Sequence, residues 1–263
     1  MAERLPEALE QLLEHEVGYF AFAAEAERCE HAWYLRCDAL PEYEDVNRAL
    51  HLRDDGRGPK AVARAVIDYF QARGRPVVAD LDSVAEAQGI GAALRRMGVT
   101  PTMGNRMLMS YPFLTPPVIS APGVEVREIA SGDAAGLRVW IETNLNQALV
   151  SADPDYWRYT EWEARYPLCR LYLGLLDGQP AGTCDLFADA GWGRIEMVET
   201  LPAWRRRGVA STVVAHAIAA SLAQGHSETY LYTDAGGEGE RLYLRLGFVR
   251  QGINLLKRHR LSL

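Results

Sequence analysis

The spacing of apolar residues predicts helices and strands along the whole chain. In the first half, one helix is predicted from leucines at helical intervals, Leu5, Leu9, Leu12 and Leu13. Val62, Val66 and Phe70 mark a second helix, which ends before Gly74, and a third is predicted to run through Met97. A short aromatic run predicts a strand at 31–37, and further strands are predicted at 75–81 and 103–110.

The second half predicts a clearer order of elements. Strands are expected at 124–129, 171–176, 181–187, 194–200, 229–233 and 248–258, and helices from 133, from 154, at 210–224 and at 238–246. The order is strand, two helices, three strands, helix, strand, helix and strand. It is typical of a mixed α/β fold of the α+β sandwich type, with a mostly antiparallel central sheet flanked by helices, and not of a doubly wound nucleotide fold.

A proline-rich segment separates the two halves. Residues 111–123 contain four of the thirteen prolines of the chain. Proline interrupts both helices and central strands, so this segment is predicted to link two globular parts. A length of 263 residues fits one large domain or two modest ones.

Composition narrows the function classes. The formal net charge is −7, which gives no electrostatic basis for binding nucleic acid or an anionic membrane. No apolar run is long enough for a membrane span, and the acidic N-terminus does not resemble a signal peptide, so a cytoplasmic protein is expected. The four cysteines are scattered without a CxxC motif, and we expect free thiols and no metal site.

The segment between the strand at 194–200 and the next helix is suited to bind an anion. It carries Arg205, Arg206 and Arg207, then Gly208 and Ala210 at the start of the helix. A helix N-terminus presents unpaired N–H groups and a partial positive charge, which together favour phosphate. The pattern R-x-x-G-x-[GA] is weak alone, because it also occurs at 53–58. No GxxxxGK[ST] sequence is present, which argues against a kinase or ATPase.

Context makes this loop more specific. It follows a V-x-T-x-P strand end, and Leu242-Tyr243 and Leu246-Gly247-Phe248 lie downstream. Together these motifs resemble the GNAT superfamily of acyl-CoA-dependent N-acetyltransferases, over residues 122–263. The resemblance implies transfer of an acetyl group from acetyl-CoA to a primary amine of a small molecule or peptide, by direct attack in a ternary complex. The alternative is a non-catalytic acyl-CoA-binding regulatory module.

The resemblance also implies a set of cofactor contacts. The pyrophosphate of acetyl-CoA would lie on the amides of residues 206–211, and its pantetheine arm would lie beside residues 198–201. The residues concerned are Val198, Glu199, Thr200, Leu201, Arg205, Arg206, Arg207, Gly208, Val209, Ala210, Ser211, Thr233 and Tyr243. One departure from the family is Gly236, which stands where an asparagine is common, and Thr233 or Asp234 could substitute for it.

Catalysis of this kind needs an acid and a base. Tyr243 matches the family tyrosine beside the CoA sulfur and is assigned as general acid. Glu196 is preferred as base, with Glu199 as the alternative. The two glutamates lie three residues apart, so in a regular strand they would face opposite sides of the sheet.

An aromatic stretch after residue 155 is the candidate acceptor site. We expect Trp157, Tyr159 and Trp162, with Asn144 or Asn146, to line the amine pocket. An ordinary helix packed by its aromatic residues would have the same sequence pattern.

The first half resembles the second in three segments. Gly98 aligns with Gly247, Gly74 with Gly225 and Gly56 with Gly208, at a separation of about 150 residues throughout. In the first copy Leu94 stands where Tyr243 stands, and Asp54 and Asp55 replace two arginines. We therefore predict tandem GNAT folds: a degenerate, non-catalytic domain at 1–112, a linker at 113–123 and a catalytic domain at 124–263.

Overall fold

A computed structural model describes residues 7–82, 85–102, 106–145 and 154–261. The chain forms two compact units, Met1–Leu108 together with Gly252–Leu263, and Met109–Gln251. Both mix helices with a sheet, so the predicted α/β class is confirmed. Across the described ranges no helix combines the length and the apolar character that a bilayer crossing requires.

The first unit is a sheet covered by helices. In chain order its elements are α1 (Glu7–Tyr19), β1 (Glu25–Arg28), β2 (Trp33–Arg36), β3 (Arg48–Leu50), α2 (Pro59–Gln71), β4 (Val77–Asp82), α3 (Ala85–Arg96) and β5 (Thr100–Pro101). Strands β1, β2 and β3 pair antiparallel, and β3 pairs parallel with β4. The core lies between the sheet and helices α2 and α3, and Val66, Phe70 and Leu94 are buried there.

The second unit has a larger sheet. Its elements are the second part of β6 (Arg106–Ser110), a strand that crosses the unit boundary after Leu108, then β7 (Val124–Ile129), α4 (Ala134–Leu145), α5 (Pro154–Ala164), β8 (Cys169–Leu176), β9 (Gln179–Asp189), β10 (Trp192–Thr200), α6 (Val209–Ala223), β11 (Glu228–Asp234) and α7 (Glu238–Leu246). The strand order is β6-β11-β10-β9-β8-β7. Only the β10–β11 pair is parallel among the pairs described from β7 to β11.

The two units share an order of elements. Three antiparallel strands, a helix, a parallel strand and a helix follow one another as β1-β2-β3-α2-β4-α3 and again as β8-β9-β10-α6-β11-α7. This agrees with the repeat read from the sequence. Helix α2 begins at Pro59 and α6 at Val209, so the separation of about 150 residues holds for the helix starts as well.

The unit boundaries differ from the predicted domains at the C-terminal end. Strand β12 (Val249–Leu261) pairs antiparallel with β4 from Leu261↔Val77 to Leu255↔Asp82, and it also pairs with β5. Residues 252–263 therefore belong to the first unit, although the sequence assigned them to the second. Local sequence could not indicate this, because a strand pattern does not specify which edge the strand joins.

Most predicted elements are found with small shifts at their ends. The sequence missed β1, whose four residues are all exposed, and β3, which has only three residues. Neither shows the alternation on which strand prediction depends. The predicted positions Leu5, Met103 and Asn146 lie outside the described residues.

Helix α6 packs directly on the sheet because two strand glycines leave room for it. A Cβ on Gly174 would lie 2.8 Å from Val213 Cγ1, and one on Gly182 would lie 2.8 Å from Val209 Cγ1 and 2.5 Å from the Glu199 carbonyl oxygen. Val209 and Val213 are fully buried. The two glycines thus allow the start of α6 to approach β8 and β9 closely.

We predict that Gly182→Ala destabilises the protein by about 1–3 kcal/mol, the usual cost of overpacking, because the added methyl group would meet backbone as well as a side chain. Urea unfolding measures the change. Gly89→Ala in α3 is the matched control, since its Cβ would meet only the Pro59 ring, at 3.2 Å, and alanine favours a helix. Equal stability of Gly182→Ala and wild type would contradict this packing.

Candidate functional site

Strands β10 and β11 separate soon after they begin. They pair only from Trp192↔Glu228 to Arg194↔Tyr230 in the described structure, although β10 continues to Thr200. Within this stretch β10 has a bulge against β9, because Glu196 pairs with Asp185 and Glu199 pairs with Thr183. Met197, inside the bulge, has φ +50°, which is rare for a residue with a side chain. The divergence leaves a wedge between two parallel strands.

The loop after β10 turns sharply into α6. Gly208 precedes the helix with φ +83°, and Arg206 also has positive φ, at +64°. A Cβ on Gly208 would lie 2.4 Å from the Ala121 Cβ, so glycine is required both by conformation and by space. The hydroxyls of Ser211 and Thr212 donate to the Gly208 carbonyl. A helix start leaves its first N–H groups without partners in the helix, so the start of α6 after this turn is suited to an anion.

A cleft of about 480 Å³ joins this loop to helix α7. Nine of the predicted residues line it: Val198, Thr200, Arg205, Arg206, Gly208, Val209, Ala210, Ser211 and Tyr243. The sequence missed further lining residues on α7, namely Glu238, Gly239, Arg241, Leu242 and Arg245. Their helical spacing around Tyr243 was the available signal, since residues three and four apart share a helix face.

Tyr243 lies at the inner wall of the cleft. Its side chain is buried and its ring meets Phe248 edge-on, with centroids 5.7 Å apart. Burial raises the pKa of the Tyr243 hydroxyl far above its usual value, and negative charge on Glu196 and Glu199 acts in the same direction. The hydroxyl is therefore protonated at neutral pH and can only donate a proton. Thr233 is close to it, because a Cβ on Gly239 would meet both Thr233 Oγ1 and the Tyr243 ring.

The bulge in β10 corrects one sequence prediction. Asp185 and Thr183 lie two residues apart on β9 and so point to the same face. Their cross-strand partners Glu196 and Glu199 therefore share that face too, and do not face opposite sides. Spacing alone misled the prediction because it assumed a regular strand.

The two candidate bases have different partners. Arg194 donates from Nε to Glu196 Oε1 at 2.7 Å, and its Nη2 lies 2.6 Å from the same oxygen. Glu199 Oε1 accepts the Thr200 N–H at 3.1 Å and lies 3.4 Å from Arg205 Nη2. Each carboxylate is held in place by one cation.

Leu201 and Arg207 lie away from the cleft. Leu201 lines a separate depression of about 580 Å³ with Val139, Glu142, Thr143, Pro180, Pro202, Ala203 and Trp204. The Arg207 guanidinium lies over the Trp204 ring, 5.2 Å from its centroid, and 3.6 Å from Asp177. Neither side chain joins the group of predicted cofactor residues.

The predicted acceptor residues do not line the cleft either. Trp157 packs against the buried cluster around Trp140 and Ile141, and Tyr159 is buried. Trp162 is half-buried. The Asn144 amide nitrogen donates to Thr183 Oγ1 and to the Met197 carbonyl, so it serves the bulge in β10.

Two acids, Glu163 of α5 and Asp185 of β9, are fully buried. Within the described residues the Glu163 carboxyl has no hydrogen-bond partner, whereas a hydrogen bond from the Glu196 backbone acts to lower the pKa of Asp185. Burial raises the pKa of both well above the usual range, and the pKa of Glu163 is raised further by Asp185 and Glu196. Arg194 is the cation that offsets this effect. Burial therefore favours the protonated form of these two carboxyls.

In the first unit, the corresponding loop is closed by its own side chains. Asp54 Oδ1 accepts the N–H groups of Gly56 at 3.0 Å and Gly58 at 2.8 Å, directly before α2. Arg48 lies 3.0 Å from Asp80, and Arg53 lies 2.7 Å from Asp82, so ion pairs join the ends of β3 and β4. A carboxylate thus occupies the position that an anionic ligand would need.

Among the described residues no cluster of three or more His, Cys, Asp or Glu side chains is arranged to hold a metal ion. Cys29, Cys37, Cys169 and Cys184 are all free thiols.

Part of the chain matches a known protein family. Residues 138–248, which include β10, the loop and α7, match the model of the acetyltransferase (GNAT) family. This part of the chain is a GNAT acetyltransferase domain, and the resemblance stated from the sequence is confirmed. Acyl transfer from acyl-CoA is the activity of that family. A search of curated protein sequences finds no match.

Solved structures share the fold over nearly the whole chain. A GCN5-related N-acetyltransferase from Kribbella flavida is 18% identical with a TM-score of 0.67, covering 95% of this chain and 94% of its own. One from Sphaerobacter thermophilus is 17% identical with a TM-score of 0.62, covering 89% and 81%. A tandem GNAT protein from the clavulanic acid biosynthesis pathway is 14% identical with a TM-score of 0.61, covering 94% and 87%. At these identities the similarity establishes the fold.

We predict that Glu163→Gln stabilises the protein increasingly as pH rises. Because the pKa of folded Glu163 is raised, its ionisation takes no stability from the protein below the unfolded pKa near 4.3, and stability is lost as pH rises from there toward the folded pKa. Glutamine does not ionise, so the variant does not lose stability in this way as pH rises. The difference in Tm between the variant and wild type should therefore grow from pH 5 to pH 8, and each kcal/mol of difference in unfolding free energy corresponds to about 2–4 °C.

Thermal unfolding at several pH values tests this prediction. Glu161→Gln, on the same helix but exposed and paired with Arg165, is the control and should show no such trend. A difference in Tm between Glu163→Gln and wild type that is the same at every pH would contradict the raised pKa of Glu163.

Proposed function

We propose that the protein is an N-acetyltransferase that moves an acetyl group from acetyl-CoA to a primary amine of a small molecule or peptide. The observation that carries this proposal is the single cleft that brings Tyr243 together with the Arg205–Ser211 loop. A binding module would need the loop, but it would have no use for a buried tyrosine hydroxyl beside it.

The cleft suits the two ends of acetyl-CoA. Backbone amides at the start of α6, with Arg205 and Arg206, would hold the pyrophosphate. Gly208 lets the backbone come close, since no side chain stands between it and a ligand. The pantetheine arm would lie in the wedge along Val198 and Thr200, where β10 has left β11. Amides of this part of β10 would polarise the thioester carbonyl as its oxygen becomes negative.

The chemistry requires two proton transfers. A neutral amine attacks the thioester carbon, forming the C–N bond, and the C–S bond breaks as the tetrahedral intermediate collapses. The attacking nitrogen loses a proton to Glu196, or to Glu199, either directly or through water. Tyr243, which its raised pKa keeps protonated, donates a proton to the leaving thiolate and is protonated again by the proton that the base took from nitrogen. The ammonium form of the amine releases one proton to solvent before attack, so per turnover an ammonium and acetyl-CoA give an amide, CoA and one proton.

The amine would approach from the face that carries the carboxylates. Glu196 and Glu199 share this face, which α4 and α5 also cover. Of the predicted acceptor residues, the half-buried Trp162 is our first choice for a contact with the amine. Trp157 packs against the core and Tyr159 is buried, so these two are second choices. The first unit would act as a scaffold without binding CoA, given its occupied loop.

We predict that Tyr243→Phe lowers kcat by roughly 10²-fold or more, the usual contribution of an acid–base group, with little change in the KM for acetyl-CoA. Thiol release from acetyl-CoA, followed across a panel of primary amines and peptides, measures this. Tyr232→Phe, on β11, is a control for loss of a tyrosine hydroxyl elsewhere. Acetyl-CoA binding without turnover on any amine would favour the regulatory module. Absence of binding would refute the proposal.

We predict that one chain binds one CoA, in the second unit. Arg206→Asp would copy the acidic loop of the first unit and should weaken CoA binding about 10- to 100-fold, because a charged hydrogen bond is lost and a repulsion is added. Titration calorimetry gives both stoichiometry and affinity. Arg64→Asp on α2 makes the same charge change on an exposed surface and should bind as wild type does. A stoichiometry of two would show that the first unit also binds.

A further inference from the structure

The bulge in β10 is a conformation that needs support. Met197 holds a positive φ without being glycine, and the pairing with β9 slips by one residue around it. A regular strand has no such strain, so the surrounding structure must favour the bulge over straight pairing. The question is which side chains provide that support.

Three hydrogen bonds converge on the bulge. The Met197 carbonyl accepts one from Asn144 Nδ2 and another from Thr183 Oγ1, each at 3.0 Å. Asn144 Nδ2 uses its second hydrogen to donate to Thr183 Oγ1 at 2.9 Å. Donors and acceptors therefore match around a closed triangle.

Because Asn144 and Thr183 are buried, their hydrogen bonds favour the bulge over a straight strand. Thr183 is completely buried and Asn144 is 6% exposed, so water cannot readily replace the bonds that straightening would break. Met197 itself packs against the cluster beneath α4. The polar groups are thus satisfied only when the bulge is present.

Helix α4 holds Asn144 in position. Trp140 lies one helical turn earlier, is fully buried, and donates from Nε1 to the Tyr172 carbonyl at 3.1 Å. Residues four apart lie on the same side of a helix, so Trp140 and Asn144 both point to the sheet. The helix is therefore fixed against β8 at Trp140 and against the bulge at Asn144.

We propose that Asn144 and Thr183 are positioning residues for the active site. By holding the Met197 carbonyl they maintain the bulge, which turns Glu196 and Glu199 to one face and lets β10 leave β11. This inference rests on the proposed function for its catalytic consequence. It gives Asn144 a role different from the amine contact expected from the sequence.

Thr183→Val and Thr183→Ser test the proposal together. Valine has the shape of threonine but no hydroxyl, whereas serine keeps the hydroxyl. We expect Thr183→Val to lower kcat on the order of 10²-fold, the loss typical of catalytic groups misplaced by about 1 Å, and Thr183→Ser to stay within about 3-fold of wild type. Asn144→Leu should behave like Thr183→Val, because leucine is similar in size but donates no hydrogen bond.

Thr143→Val is the matched control. Thr143 is a buried threonine beside Asn144, but its hydroxyl donates to the Val139 carbonyl of its own helix. Its loss should leave kcat close to wild type even if Tm falls. Equal losses of kcat in Thr143→Val and Thr183→Val would show that general destabilisation is responsible, and would overturn the proposal.

A readout without turnover separates this inference from the proposed function. Amide hydrogen exchange at residues 197–200 should become faster in Thr183→Val and stay unchanged in Thr143→Val and Thr183→Ser. If this pattern is found but no amine is acetylated by wild type, the support of the bulge by Asn144 and Thr183 stands and the proposed function fails. Unchanged exchange in Thr183→Val would refute that support whatever the activity.

Discussion

The divergence of two parallel strands is the constraint on which the rest of the site depends. Parallel strands that stayed paired to their ends would leave no space between them, and the loop before α6 would meet a closed sheet. Here pairing stops at Arg194, and the remaining residues of β10 border an open cleft. Three features follow from this one departure: a wedge for an extended ligand, a helix start at its mouth, and Tyr243 on its far wall. None of them would be useful without the others.

The same order of elements has a different outcome in the first unit. There, too, the parallel pair is short, with only Ala49↔Ala79 in register, but ion pairs Arg48–Asp80 and Arg53–Asp82 join the two strands beyond it. Asp54 takes the amides before α2. In this unit, carboxylates of the chain itself therefore pair with the arginines and with the amides at the start of the helix.

The sequence predicted what depends on local pattern and missed what depends on register and edges. Gly208, Ala210 and Tyr243 were found because a loop motif and a helix motif each have a specific spacing, and the fold brings them to one cleft. The prediction that Glu196 and Glu199 face opposite sides was wrong because a bulge adds one residue between them. The bulge is supported by Asn144, which lies more than fifty residues away in sequence. The pairing of β12 with β4 could not be inferred, because the two strands are far apart in sequence and only the tertiary structure brings them together. The sequence pattern of aromatic residues in α5 is the same for a helix packed into a core and for one that lines a pocket, so it could not distinguish these two arrangements.

Net charge says little about this site, because the charges that matter are arranged around β10. The cleft is lined by Arg205, Arg206, Arg241 and Arg245 against one glutamate, although the chain as a whole carries a charge of −7. The carboxylates of Glu196 and Glu199 lie on the face of β10 that α4 and α5 cover. Arg205 lies 3.4 Å from the Glu199 carboxylate, so the cationic cleft and the acidic face meet at this glutamate. A polyanionic cofactor and a cationic amine would therefore be drawn to adjoining sides of the same strand. The support that Asn144 and Thr183 give to the Met197 carbonyl thus governs where these charges are placed as well as how the strand runs.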